Sequence, residues 1–115
     1  SEPLTVIHSE FYPRNILVSN GNVYPVDWES AAIAAGEIDL ACLTEGWGSD
    51  VVRECESTYQ RARWPSGSPD AFSVKLDVAR MYQEFRWLGD REQWQEWGSR
   101  RIERIGRLAK GLGLL

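Results

Sequence analysis

His8-Ser9-Glu10-Phe11-Tyr12-Pro13-Arg14-Asn15, followed further along by Asp27-Trp28-Glu29, is the stretch on which the reading of this 115-residue chain turns. Glu10 stands five residues before Asn15, and Asp27 twelve residues after it. Just upstream, Leu4-Thr5-Val6-Ile7-His8 is an apolar, β-branched run that predicts a short buried strand. Ser9 to Arg14 predicts a loop, because Pro13 lacks an N–H and disfavours a continuing ladder. Ile16-Leu17-Val18 resumes strand character, and Asn20-Gly21 is a strong hairpin signal, since a type I′ turn needs positive φ at both central residues. Val23-Tyr24-Pro25-Val26 returns as the partner strand, with Pro25 marking an edge or a bulge. Asp27 then falls just past a strand end.

The remainder reads as helices. Ala31 to Gly36 reads as a connection rich in small residues. Ile38 to Trp47 predicts a helix with Leu40, Ala41 and Leu43 on its buried side. Ser49 or Asp50 is suited to cap a second helix running to about Arg63. Trp64-Pro65-Ser66-Gly67-Ser68-Pro69 is a loop, with Pro69 fit for a first helical position. A third helix over about Asp70 to Leu88 carries Phe72, Leu76, Ala79, Met81, Tyr82, Phe85 and Leu88. Gly89-Asp90 breaks it. A last helix from about Arg91 to Leu112 has Trp94, Trp97, Ile102, Ile105, Leu108 and Leu112 as its apolar stripe. A few strands followed only by helices is an α+β arrangement.

Composition narrows the function. The net charge of -4 argues against a nucleic-acid binder, which needs clustered Lys and Arg. Arg100, Arg101, Arg104, Arg107 and Lys110 make the C-terminal end basic, and at helical spacing they read as a solvated face. Cys42 and Cys55 have neither the spacing of a zinc site nor the density of a disulfide scaffold, so reduced thiols in a cytoplasmic protein are expected. No apolar run is long enough to span a membrane, and no basic-then-apolar leader opens the chain.

A carboxylate near an Asn, with a second carboxylate after the next strand, is the set of parts that phosphoryl transfer needs. His8, Glu10, Asn15, the hairpin, Asp27-Trp28-Glu29 and Gly36-x-x-Asp39-Leu40-Ala41, in that order, resemble the aminoglycoside phosphotransferase and choline kinase-like family, small-molecule kinases on the protein-kinase fold. The resemblance covers roughly residues 4–47. It implies an ATP- and Mg2+-dependent transfer of the γ-phosphoryl group to a hydroxyl of a small molecule. His8 matches the His that opens the catalytic loop and supports its geometry. Glu10 stands where the family has the Asp that orients the acceptor hydroxyl and takes its proton. Asn15 and Asp27 match the metal and nucleotide ligands. Asp39 matches the Asp that braces the catalytic loop from a helix start, where the helix dipole favours it. The acceptor would bind among the helices, with Glu45, Trp47, Asp50 and Glu54 as candidates, because a Trp face and carboxylates suit a cation.

Two departures qualify the resemblance. Glu10 for Asp moves the carboxylate out by about 1.5 Å, and a misplacement of about 1 Å can cost on the order of a hundredfold in rate. Glu10 thus marks either a working variant site or a crippled one. The family's N-terminal ATP-binding lobe is also missing. There is no Gly-x-Gly-x-x-Gly cradle, and Lys75 and Lys110 are the only lysines. The chain is therefore expected to be part of a C-terminal lobe, with catalytic and metal-binding loops over 1–30 and a helical subdomain over 31–115. Such a fragment should be inactive alone and should self-associate. The competing reading is a catalytically inactive kinase-like module that binds a ligand or partner.

Overall fold

The computed structural model describes residues 4–89 and 91–115, the side chains of 91–96 excepted. The fold is mixed α+β. Strands β1 (Thr5–Ile7), β2 (Ile16–Ser19), β3 (Asn22–Pro25) and β4 (Ala32–Ala34) precede helices α1 (Glu37–Thr44), α2 (Ser49–Arg63), α3 (Phe72–Leu88) and α4 (Arg91–Gly111). A single 3₁₀ turn, Pro13–Asn15, lies between β1 and β2, with Pro13 supplying its first residue. The chain forms two compact units, Ser1–Pro69 and Asp70–Leu115.

In the first unit the strands make two antiparallel pairs. β2 and β3 form the expected hairpin, with Leu17 opposite Tyr24 and Val18 opposite Val23. Asn20 and Gly21 take φ of 51° and 76°, the pair of positive values that a type I′ turn requires. The second pair was not legible. Residues 31–36, expected as a connection, contain β4, which pairs with β1 so that Thr5 faces Ala34 and Ile7 faces Ala32. Alanine carries little strand preference, and here the partner strand decides the conformation.

Helix α1 ends three residues earlier than its sequence suggests, at Thr44, because Glu45 turns extended and Gly46 takes φ 78°. Gly48 occupies the N-cap of α2; Ser49 and Asp50 lie inside its first turn and make no side-chain cap. Asp50 instead pairs with Arg53 one turn on. The start of α1 is packed closely under α2. A Cβ at Gly36 would stand 2.6 Å from the Tyr59 hydroxyl and 3.3 Å from an Arg63 guanidinium nitrogen. Ile7, Tyr12, Leu40, Ala41 and Cys42 are buried in this unit. Neither cysteine is in a disulfide; Cys42 is buried and Cys55 half-buried.

The second unit is the antiparallel helix pair α3–α4. Pro69 lies outside α3, which starts at Phe72 after the N-cap Ala71. Phe72, Leu76 and Ala79 are buried as their spacing predicts, but Tyr82 and Phe85 are exposed, and Gln83 and Glu84 occupy the buried phase instead. The series 72, 76, 79, 83 keeps one face at 3.6 residues per turn; Tyr82 falls to one side of it and Phe85 further round toward the opposite face. On α4, Trp97 and Ile102 are exposed, whereas Arg101, expected on a solvated face, is buried. It donates to Glu84 at 3.0 Å, and Arg104 reaches the other carboxylate oxygen at 3.4 Å. Asp90 and the side chain of Trp94, expected as a helix breaker and a stripe residue, lie outside the described residues. No helix among the described residues is long and apolar enough to cross a membrane.

Candidate functional site

The loop between β1 and β2 is held by hydrogen bonds that converge on four of the sequence-selected residues. His8 follows β1 directly and is almost fully buried. Its backbone N–H donates to Asp39 Oδ2 at 2.7 Å, and the next N–H, of Ser9, donates to Asp39 Oδ1 at 2.8 Å. One carboxylate in the first turn of α1 therefore accepts two successive amides, and the helix N-terminus favours its charge. Ser9 takes φ 75°, a conformation costly for a residue with a Cβ. The Asp39 clamp holds it there, and its carbonyl accepts from the Cys42 thiol at 3.7 Å.

The His8 ring ties the loop to the segment that carries Asp27. Nδ1 accepts the Glu10 backbone N–H at 3.2 Å, while Nε2 lies 2.6 Å from the Val26 carbonyl. Only the tautomer with its proton on Nε2 satisfies both partners. Both ring nitrogens are thereby engaged with backbone, which makes His8 a positioning group. Trp28 and Phe11 pack on this ring, with centroids 4.7 and 5.9 Å away, and the Trp28 indole N–H donates to the Pro25 carbonyl at 2.9 Å.

Asn15 donates its side-chain amide to the Glu10 carbonyl at 2.8 Å, and the Tyr12 N–H donates to the same oxygen at 2.8 Å. The Asn15 carbonyl in turn accepts the Val26 N–H at 2.8 Å, which sets the residue before Asp27 beside Asn15. Asp27 itself is exposed, at φ 65°. The half-buried Glu10 directs Oε2 to the Ser30 hydroxyl, 3.0 Å away. His8, Glu10, Asn15 and Asp39 thus belong to one network, with Asp27 one residue beyond it. Glu45, Trp47 and Asp50 lie past the end of α1 at Thr44, which is itself about 7.5 Å of helical rise from Asp39 at 1.5 Å per residue. The described bonds do not draw them into the network.

Among the described residues no group of three or more His, Cys, Asp or Glu side chains is arranged to hold a metal ion. What the network offers is smaller. With its amide nitrogen engaged, Asn15 has Oδ1 as its ligating atom, and Asp27 brings an exposed carboxylate. Two hard oxygen donors suit magnesium, which keeps waters and takes its other ligands from substrate phosphates. A separate cavity of about 460 Å³, lined by Gln60, Arg61, Trp64 and Gly67 among others, lies at the end of α2 and includes none of these residues.

Ser30 and the Val26 carbonyl are parts of the site that sequence reasoning did not select, and Trp28, quoted there within Asp27-Trp28-Glu29, was given no role for its ring. The only signal for Ser30 was its place in a short polar turn after Asp27. Comparison of the chain with protein-family models, curated proteins and solved structures found no match in any of the three.

Proposed function

We propose that this chain carries the catalytic and metal-binding loops of an ATP-dependent phosphotransferase that acts on a hydroxyl of a small molecule. The observation that supports the reading most is the single network in which Asp39 clamps His8 and Ser9, Asn15 holds Glu10, and His8 joins the loop to Val26, next to Asp27. Phosphoryl transfer needs positioned carboxylates and charge neutralisation more than covalent chemistry, and this arrangement supplies positions.

In the proposed reaction the acceptor hydroxyl oxygen bonds to the γ-phosphorus, the bond to the β–γ bridging oxygen breaks, and ADP departs. Glu10 orients the hydroxyl and takes its proton. Magnesium, when bound, would neutralise charge on the phosphates. Asn15 and Asp27 are the residues that would hold it. His8 and Asp39 fix the loop and touch no reacting atom. The kinase-lobe identity of the α+β fold, the acceptor class (aminoglycoside- or choline-like) and a role for Glu45, Trp47 and Asp50 in binding it belong to the same proposal.

The test is transfer of labelled γ-phosphate from ATP to a panel of amino-sugar and amino-alcohol acceptors by the full-length protein. Asp27→Ala and Asn15→Ala should each remove nearly all transfer. A wild-type protein that binds such acceptors and transfers nothing would favour an inactive binding module.

A further inference from the structure

We propose that Ser30 is a positioning residue for Glu10, an inference that rests on the phosphotransferase reading above. Ser30 is the third residue of a turn closed by the Ala31 N–H on the Trp28 carbonyl at 3.0 Å. That turn follows Asp27 directly, so the segment that carries the candidate metal ligand also carries the hydroxyl. The half-buried Ser30 presents Oγ to Glu10 Oε2 at 3.0 Å, across twenty residues of sequence.

A glutamate has one more rotatable bond than an aspartate, and its carboxylate samples more positions unless something fixes it. The Ser30 hydroxyl sits where it can do this. An aspartate at position 10 would draw the carboxylate back by about 1.5 Å, which takes it out of hydrogen-bond reach of the same hydroxyl. Glu10 and Ser30 are therefore matched in length: the longer acid is usable because a donor waits for it. This favours the working-variant reading of Glu10 over the crippled one. Ser30 acts through Glu10 and need not touch substrate.

The experiment measures kcat and KM in the full-length protein for Ser30→Ala, Ser30→Thr, Glu10→Asp and the double variant Glu10→Asp/Ser30→Ala. A merely structural role would lower activity in both backgrounds alike. Positioning predicts that Ser30→Ala lowers kcat about tenfold with KM for ATP nearly unchanged, since transition-state geometry is lost and ground-state nucleotide binding is not. Ser30→Thr keeps the hydroxyl and should restore most of the rate. In the Glu10→Asp background, Ser30→Ala should cost nothing further. Equal losses in the two backgrounds, or no loss in either, would overturn the inference while leaving the reaction standing, provided Asp27→Ala is inactive. A wild-type protein that transfers no phosphate overturns both.

Discussion

Asp39 accepts amides from residues 31 and 30 positions upstream, so one helix side chain holds two successive residues of the loop. A hydrogen bond to a charged group contributes about 1.5–3 kcal/mol. Asp39→Ala leaves two amides without their acceptor, so it should destabilise the fold by roughly 3 kcal/mol, read as a lowered urea midpoint. Asp39→Asn retains one acceptor and should lose less. Asp27 is the opposite case. At φ 65° it holds a conformation that costs an ordinary residue about 1–2 kcal/mol. Asp27→Gly should therefore raise the midpoint slightly, by up to about 1 kcal/mol after the greater freedom of the unfolded chain is set against it. The same variant should lose phosphotransfer, and a fall in stability would mean that Asp27 is held by contacts of its own. His8, Glu10, Asn15, Asp27 and Asp39 could be picked out because their order along the chain is distinctive. Ser30 could not, since a serine in a turn ordinarily bonds its own backbone, and its contact with Glu10 exists only after folding.

Among the elements, the α3–α4 pair contains a buried ion pair that periodicity does not reveal. The side chains of Glu84 and Arg101 are 9% and 11% exposed. Removing Glu84 takes the carboxylate away from a buried guanidinium, and breaking a buried pair costs about 3–5 kcal/mol. Glu84→Ala should lower the thermal midpoint sharply, whereas Glu84→Met with Arg101→Met should come close to the parent, because matched apolar side chains replace the pair. If both variants melt alike, the pair is not what holds the helices together. The helices themselves were legible from apolar spacing. Their phase was less so, because the aromatic residues Tyr82 and Phe85 outweigh Gln83 and Glu84 in any hydrophobic count yet lie off the buried face. β4 was hidden for a different reason: three residues of Ala-Ile-Ala declare a strand only when β1 lies beside them.

At the scale of the whole molecule, much apolar surface stays open. Val6 and Ile33, directly opposed on β1 and β4, are 62% and 65% exposed. Leu17, Val18, Val23 and Tyr24 are exposed on the hairpin, and since neighbours in a strand point to opposite faces, both of its faces are apolar and open. Two-stranded ribbons are marginal alone, and larger apolar patches mark interaction surfaces. This chain is expected to self-associate at micromolar concentration, most simply as a two-fold dimer that covers one of these strand pairs. Light scattering should give about twice the mass of the chain, falling to the monomer on Val6→Lys or Val18→Lys. A parent that scatters as a monomer would mean that the strand pairs hold without a cover.

The Asp39 clamp also sets a clock. The amides of His8 and Ser9 are sealed not by a neighbouring strand but by a helix that closes on them from thirty residues away. Their protons can exchange with solvent only when that helix lets go. Deuterium uptake at His8 and Ser9 should therefore keep pace with the last-exchanging amides of α1 and lag behind the β2–β3 hairpin, although the hairpin is nearer in sequence. The loop that looks most like the irregular part of the chain would then be among its most persistent, and slow to loosen for as long as the helix stays seated.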